Sequence, residues 1–90
     1  MSMNPKRIYT KETPLSEYSY TVLFEPLLEG GFQVIVPVLP EIVTYGRTLD
    51  EAREMARDAI RCVLESNLKA GEPIPEDRQP VTERVDLALP

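Results

Sequence analysis

Histidine is missing from all 90 residues, and that absence excludes Ser–His and Cys–His nucleophilic machinery, in which an imidazole carries the proton. Cysteine occurs once, as Cys62. A single thiol cannot close an internal disulfide and supplies no zinc-type cysteine cluster. By helical phase Cys62 lies off the main apolar stripe, so a partly exposed thiol is expected, and with no acid–base partner nearby it is read as a helix residue without a chemical role. No apolar run is long enough to span a bilayer and no signal peptide opens the chain, so a soluble cytoplasmic protein with no membrane partner is expected. Basic residues are in deficit: 10 Lys and Arg stand against 15 Asp and Glu, a net charge of −5. Nucleic-acid binding relies on basic groups that neutralise phosphate, so no direct DNA binding is expected from this chain alone, and a basic protein partner fits better.

What is present is organised around Gly46 to Gly71, which reads as one amphipathic helix. Thr48 and Glu51 have the capping-box spacing, in which hydroxyl and carboxylate satisfy backbone N–H groups at a helix start. At about 100° per residue, Leu49, Ala52, Ala56, Ala59, Ile60, Val63 and Ala70 share a stripe, with Met55 and Leu64 at its borders. Gly71 can take the left-handed conformation that ends a helix, and Pro73 prevents continuation. The small residues Ala52, Ala56 and Ala59 suit close approach to a sheet. The chain is long enough for one two-layer core and too short for a second.

Residues 1–17 are polar and contain Pro5 and Pro14. They read as an arm, either a mobile terminus or a segment crossing onto a neighbouring subunit. Tyr18 to Glu25 alternates as a strand, with Tyr18, Tyr20, Val22 and Phe24 on one face. Gly30-Gly31 supplies a turn, and Phe32 to Val36 returns antiparallel. Pro37 and Pro40 bracket a rigid corner, and Ile42 to Tyr45 makes a third strand leading into the helix. Beyond Gly71, Glu72 to Pro80 is an extended surface connector. Val81 to Leu89 alternates again, interrupted on its apolar side only by Glu83, and reads as a fourth strand that returns to the sheet or pairs with another copy. The expected fold is therefore α+β: an antiparallel sheet of three or four strands, in the order β-β-β-α-β, with one long helix on one face.

From about Tyr18 to Pro75 this order of elements resembles the HicB-like antitoxin family. The residues that carry the resemblance are Gly30-Gly31-Phe32, Pro37-Val38-Leu39-Pro40-Glu41, Gly46 with Thr48, Glu51-Ala52, and Gly71 with Ile74-Pro75. Val38 departs from the family's usual Asp and Glu41 from its usual Gly. The resemblance implies a domain over 18–90 like a partial RNase H fold, also compared to a double-stranded-RNA-binding domain. It implies a protein that is not an enzyme and carries no cofactor, but binds and neutralises a small basic HicA-type toxin that cleaves messenger RNA. It also implies assembly as a dimer or tetramer. Many members carry an operator-binding module, for which this chain is expected to leave no room after Pro90.

Several constellations compete with that reading. An RNase H-like fold would admit metal-dependent nuclease work if Glu25, Glu29, Glu41 and Asp50 converged, but none sits mid-strand facing another, and no metal site is expected. Asp50, Glu54 and Asp58 form an acidic ridge beside a basic one of Arg53, Arg57 and Arg61. At three- and four-residue spacing the two ridges neutralise each other; the alternative is an RNA-facing stripe, a poor phosphate track with so many acids beside it. The uncovered strand face, with Leu23 and Ile35 among Thr21 and Gln33, is the better interface. The expected partner-binding residues are Leu23, Glu25, Ile35, Glu41, Arg53 and Arg57, serving a toxin or a second copy. The alternative functions are a stand-alone homo-oligomer without a toxin and a small RNA-binding module.

Overall fold

A computed structural model describes residues 17–90; the arm expected over 1–17 lies outside them except for its last residue. Three strands, β1 (Leu23–Pro26), β2 (Phe32–Ile35) and β3 (Thr44–Gly46), precede one helix, α1 (Leu49–Ala70). The strands form an antiparallel meander in the order β1-β2-β3, with Leu23 opposite Ile35, Phe24 opposite Val34, and Val34 in turn opposite Thr44. The α+β fold read from the sequence is thus present. Its first hairpin closes where Leu27 N–H donates to Gly31 and Gly30 N–H to Leu27, each at 3.0 Å, with Gly30 and Gly31 at φ 103° and 85°. Two successive positive φ values strain any side chain bearing a Cβ, which is why the turn is diglycine.

α1 begins and ends as its caps dictate. Thr48 accepts from Glu51 N–H at 3.0 Å, while the Glu51 carboxylate accepts from Arg47 N–H at 2.6 Å, one residue upstream of the usual capping-box partner. At the far end Gly71 has φ 70°, its N–H donates to Leu68, and Glu72 N–H donates to Asn67 at 2.8 Å. That pair of bonds is a Schellman closure. Between the caps, Ala52, Ala56 and Leu64 are buried, with Ala59, Ile60 and Val63 packed beside them. Leu64, placed at the stripe's border, is buried; Ala70, placed on the stripe, is exposed, because the helix outruns the sheet it covers.

The core is small: Val34, Val36, Leu39, Ile42, Ala52, Ala56 and Leu64 are its buried side chains among the described residues. Leu39 comes from the proline corner. Leu39 N–H donates to Val36 and Ile42 N–H to Leu39, so two tight turns drive Leu39 inward until 1% of it is exposed. Gly46 is equally constrained, since a Cβ there would meet the backbone nitrogen of Ala52. The sheet can reach α1 so closely only with glycine at that point.

The ladder is shorter than the alternation predicts. Tyr18 to Val22 lies outside it because β2 runs into Pro37, which has no N–H to donate, where Thr21 would need a partner. A side chain substitutes for the missing strand. Asp77 accepts from the Thr21 N–H and hydroxyl, both at 2.8 Å, and the Tyr20 hydroxyl donates to the Pro75 carbonyl. The fourth strand expected over Val81 to Leu89 does not return to this sheet. Residues 81–90 are all exposed and belong to no strand, because the connector is tied at Asp77 and then leads away. The described molecule measures 79 × 26 × 23 Å, far longer than the roughly 33 Å that a 22-residue helix spans.

Candidate functional site

Strand alternation gives the sheet two faces with different fates. Phe24, Val34, Thr44, Phe32 and Gly46 face α1. The opposite face carries the cross-strand row Leu23–Ile35, continued in alternation by Val43, and beside it the row Glu25–Gln33–Tyr45. No described element covers this second face. Leu23, Val43 and Tyr45 are exposed, Val43 by 85%. A shallow cavity of about 270 Å³ beside Ile35, Pro40, Ile42 and Val43 gives the surface relief. Tyr45 is held in place, its hydroxyl donating to the Gly30 carbonyl at 3.2 Å across the hairpin. An apolar row bordered by Glu25 and Gln33 has the make-up of a protein interface: apolar at its centre and polar at its rim.

On the helix side a groove of about 510 Å³ opens between Tyr18–Phe24 and α1, lined by Tyr18, Tyr20, Val22, Phe24, Arg53, Arg57 and Ile60 among others. It runs on past Arg61 and Leu64 to Leu68 through a second hollow that shares Tyr18, Arg57 and Ile60 with the first. The expected partner-binding residues are therefore divided. Leu23, Glu25 and Ile35 lie together on the open face, Arg53 and Arg57 rim the groove on the other side, and Glu41 stands alone and exposed in the proline corner.

Three ion pairs account for the charged ridges of α1: Arg53 with Asp50 at 2.8 Å, Arg57 with Glu54 at 3.0 Å and Arg61 with Asp58 at 3.3 Å. All six side chains are more than half exposed, so each pair contributes only a few tenths of a kcal/mol and holds its arginine loosely. Among the described residues no three of His, Cys, Asp and Glu gather as a metal would require, and Cys62 is exposed. Nor is any helix of the described residues long and apolar enough to cross a membrane.

The connector is the feature that sequence reasoning missed. Hydrogen bonds from the Thr21 backbone and hydroxyl hold the Asp77 carboxyl below its ordinary pKa, and burial, with like-charge repulsion from Tyr18 and Asp77, pushes the Tyr20 hydroxyl up. The contact joins residues far apart in sequence, and a Pro-rich, acidic stretch offers no local signal of it.

Residues 20–87 match the family model described as the HicB_like antitoxin of bacterial toxin-antitoxin system. A UPF0150 protein of Synechocystis sp. is 35% identical over 65 residues, covering 72% of this chain and 82% of that protein. A UPF0150 protein of Thermoplasma acidophilum is 41% identical over 58 residues, 64% of this chain and 84% of that one. The antitoxin HicB 1 of Photorhabdus laumondii is 40% identical over 70 residues, 78% of this chain but 45% of the antitoxin. The chain thus spans most of the UPF0150 proteins and less than half of that antitoxin. With the match running from β1's approach through the connector, the chain belongs to the HicB-like antitoxin family of bacterial toxin–antitoxin systems.

Proposed function

We propose that this chain is the antitoxin of a HicA/HicB-type pair, and that it neutralises a small, basic, mRNA-cleaving toxin by covering the toxin's active surface, without catalysis of its own. The observation that carries this reading is the open sheet face, where Leu23, Ile35 and Val43 form an apolar row that no described element covers. Glu25 on that face and Glu41 in the corner supply negative charge near it, within a chain of net charge −5. That sign suits capture of a basic protein and speeds encounter. The antitoxin works as a homo-oligomer in the cytoplasm, and Arg53 and Arg57 belong to its self-contact rather than to the toxin contact. A partial RNase H-like layout, a sheet with one helix across it, leaves one sheet face available for such a contact.

A second reading, a stand-alone homo-oligomer with no toxin, is favoured by the exposed apolar segment 81–89. An RNA-binding role is not favoured, since Arg53, Arg57 and Arg61 each stand beside an acid. The deciding experiment is co-expression with the small basic product of the neighbouring gene, then an mRNA-cleavage assay of that product with and without this protein. A stable complex and lost cleavage are expected, and Leu23→Asp with Ile35→Asp should weaken inhibition at least ~10-fold while far-UV circular dichroism is unchanged. A neighbour that neither binds nor cleaves would leave the stand-alone reading in force.

A further inference from the structure

Residues 81–89 present an unusual surface for a chain with no partner. Val81, Val85, Leu87 and Leu89 are 78–84% exposed, occupy alternate positions, and share their side of the segment with Glu83. Large apolar side chains in strand alternation serve a surface they can cover. The groove between Tyr18–Phe24 and α1 is such a surface. Its floor is apolar, from Tyr20, Val22 and Phe24 through Ile60 and Leu64 to Leu68, and its rim carries Arg53, Arg57 and Arg61. Lengths agree as well. From Arg53 to Leu68 the helix rises about 23 Å, and a strand from Val81 to Leu89 spans about 26 Å.

Tyr18, Ser19, Tyr20 and Val22 line this groove, and outside the ladder their stretch offers backbone groups to an added strand, apart from the Thr21 N–H that Asp77 takes. The segment does not fill its own groove. Asp77 is pinned to Thr21 at the groove's wall, only Arg78, Gln79 and Pro80 separate it from Val81, and the chain then leads outward.

We propose that two copies of this chain exchange these segments, each laying Val81–Leu89 into the other's groove between Tyr18–Phe24 and α1, with Glu83 meeting the arginine rim. A two-fold pairing uses one segment and one groove from each copy and leaves neither over. The arginines can turn to the incoming acid because their present pairs are exposed and weak. This inference rests on the homo-oligomer reading above and names the contact that makes it.

The test is light scattering coupled to size exclusion, with sedimentation equilibrium for affinity, on the full chain. A dimer is expected, and Val85→Asp with Leu87→Asp should raise its dissociation constant at least ~10-fold. Arg53→Glu with Arg57→Glu should weaken it too, and adding Glu83→Arg to that variant should restore most of the loss. All these positions are exposed, so folding is retained and is checked by circular dichroism. A monomeric full chain would overturn both this inference and the homo-oligomer reading. A dimer indifferent to Val85 and Leu87 would overturn the exchange alone and move self-association to the open sheet face. Dependence on Val85 and Leu87 but not on the arginines would overturn the groove as the seat, in favour of one segment pairing with another.

Discussion

Asp77 decides where the chain goes after the helix. Its carboxylate accepts from both the N–H and the hydroxyl of Thr21, and so holds a stretch that lies outside the ladder. A carboxyl whose pKa is depressed in the fold contributes stability above its unfolded pKa and loses it as pH falls through the folded value. The connector should therefore be held at neutral pH and released progressively on acidification below about pH 4. Tyr20 sets the opposite limit. Its hydroxyl is raised, so its contribution is present below the ordinary tyrosine value and lost as pH rises beyond about 10. Amide exchange at Thr21 should show faster opening in acid for the natural chain, whereas Asp77→Asn, which cannot titrate, should flatten that acid limb. An acid limb unchanged by Asp77→Asn would assign the opening to another group.

At the scale of elements, α1 separates what holds the fold from what lies on its surface. Its N-cap side chain satisfies a first-turn backbone N–H that has no partner within the helix, so Thr48→Ala should cost about 1 kcal/mol in chemical denaturation. The arginine ridge behaves differently. Replacing Arg53, Arg57 and Arg61 together by Gln should change stability by less than about 1 kcal/mol, because exposed pairs at this spacing are each worth a few tenths. Stability lost in the first variant and kept in the second would distinguish a structural end from a ridge available for contacts. A large loss in the arginine variant would instead make those pairs part of the fold.

On the scale of the whole molecule, the small core and long outline belong together. Seven buried side chains are few for the 74 described residues, and small domains bury proportionally little surface alone. The open sheet face and the groove lie on opposite sides of one sheet, so the toxin and the second copy proposed above need not compete. Net charge acts at this scale too. Under the proposed capture of a basic toxin by a chain of net charge −5, the association rate of that complex should fall steeply between low and physiological salt, while dissociation changes less. Stopped-flow or surface-binding kinetics at two ionic strengths would measure this; an insensitive association rate would argue against electrostatic capture.

Local chemistry was enough to predict the helix with its Thr48 and Gly71 caps, the diglycine turn and the three-strand meander. Each depends on backbone preferences or on spacing within a few residues, which the chain carries wherever it folds. Resemblance in the order of those elements was enough for the family. Tertiary structure alone decided the rest. It shortened β1 because Pro37 ends the ladder, drew Leu39 into the core through two turns, and tied Asp77 to Thr21. It also parted Leu23, Glu25 and Ile35 from Arg53 and Arg57 on opposite sides of the sheet and sent Val81–Leu89 outward. Those outcomes depend on which distant segments meet, and periodicity describes one element at a time.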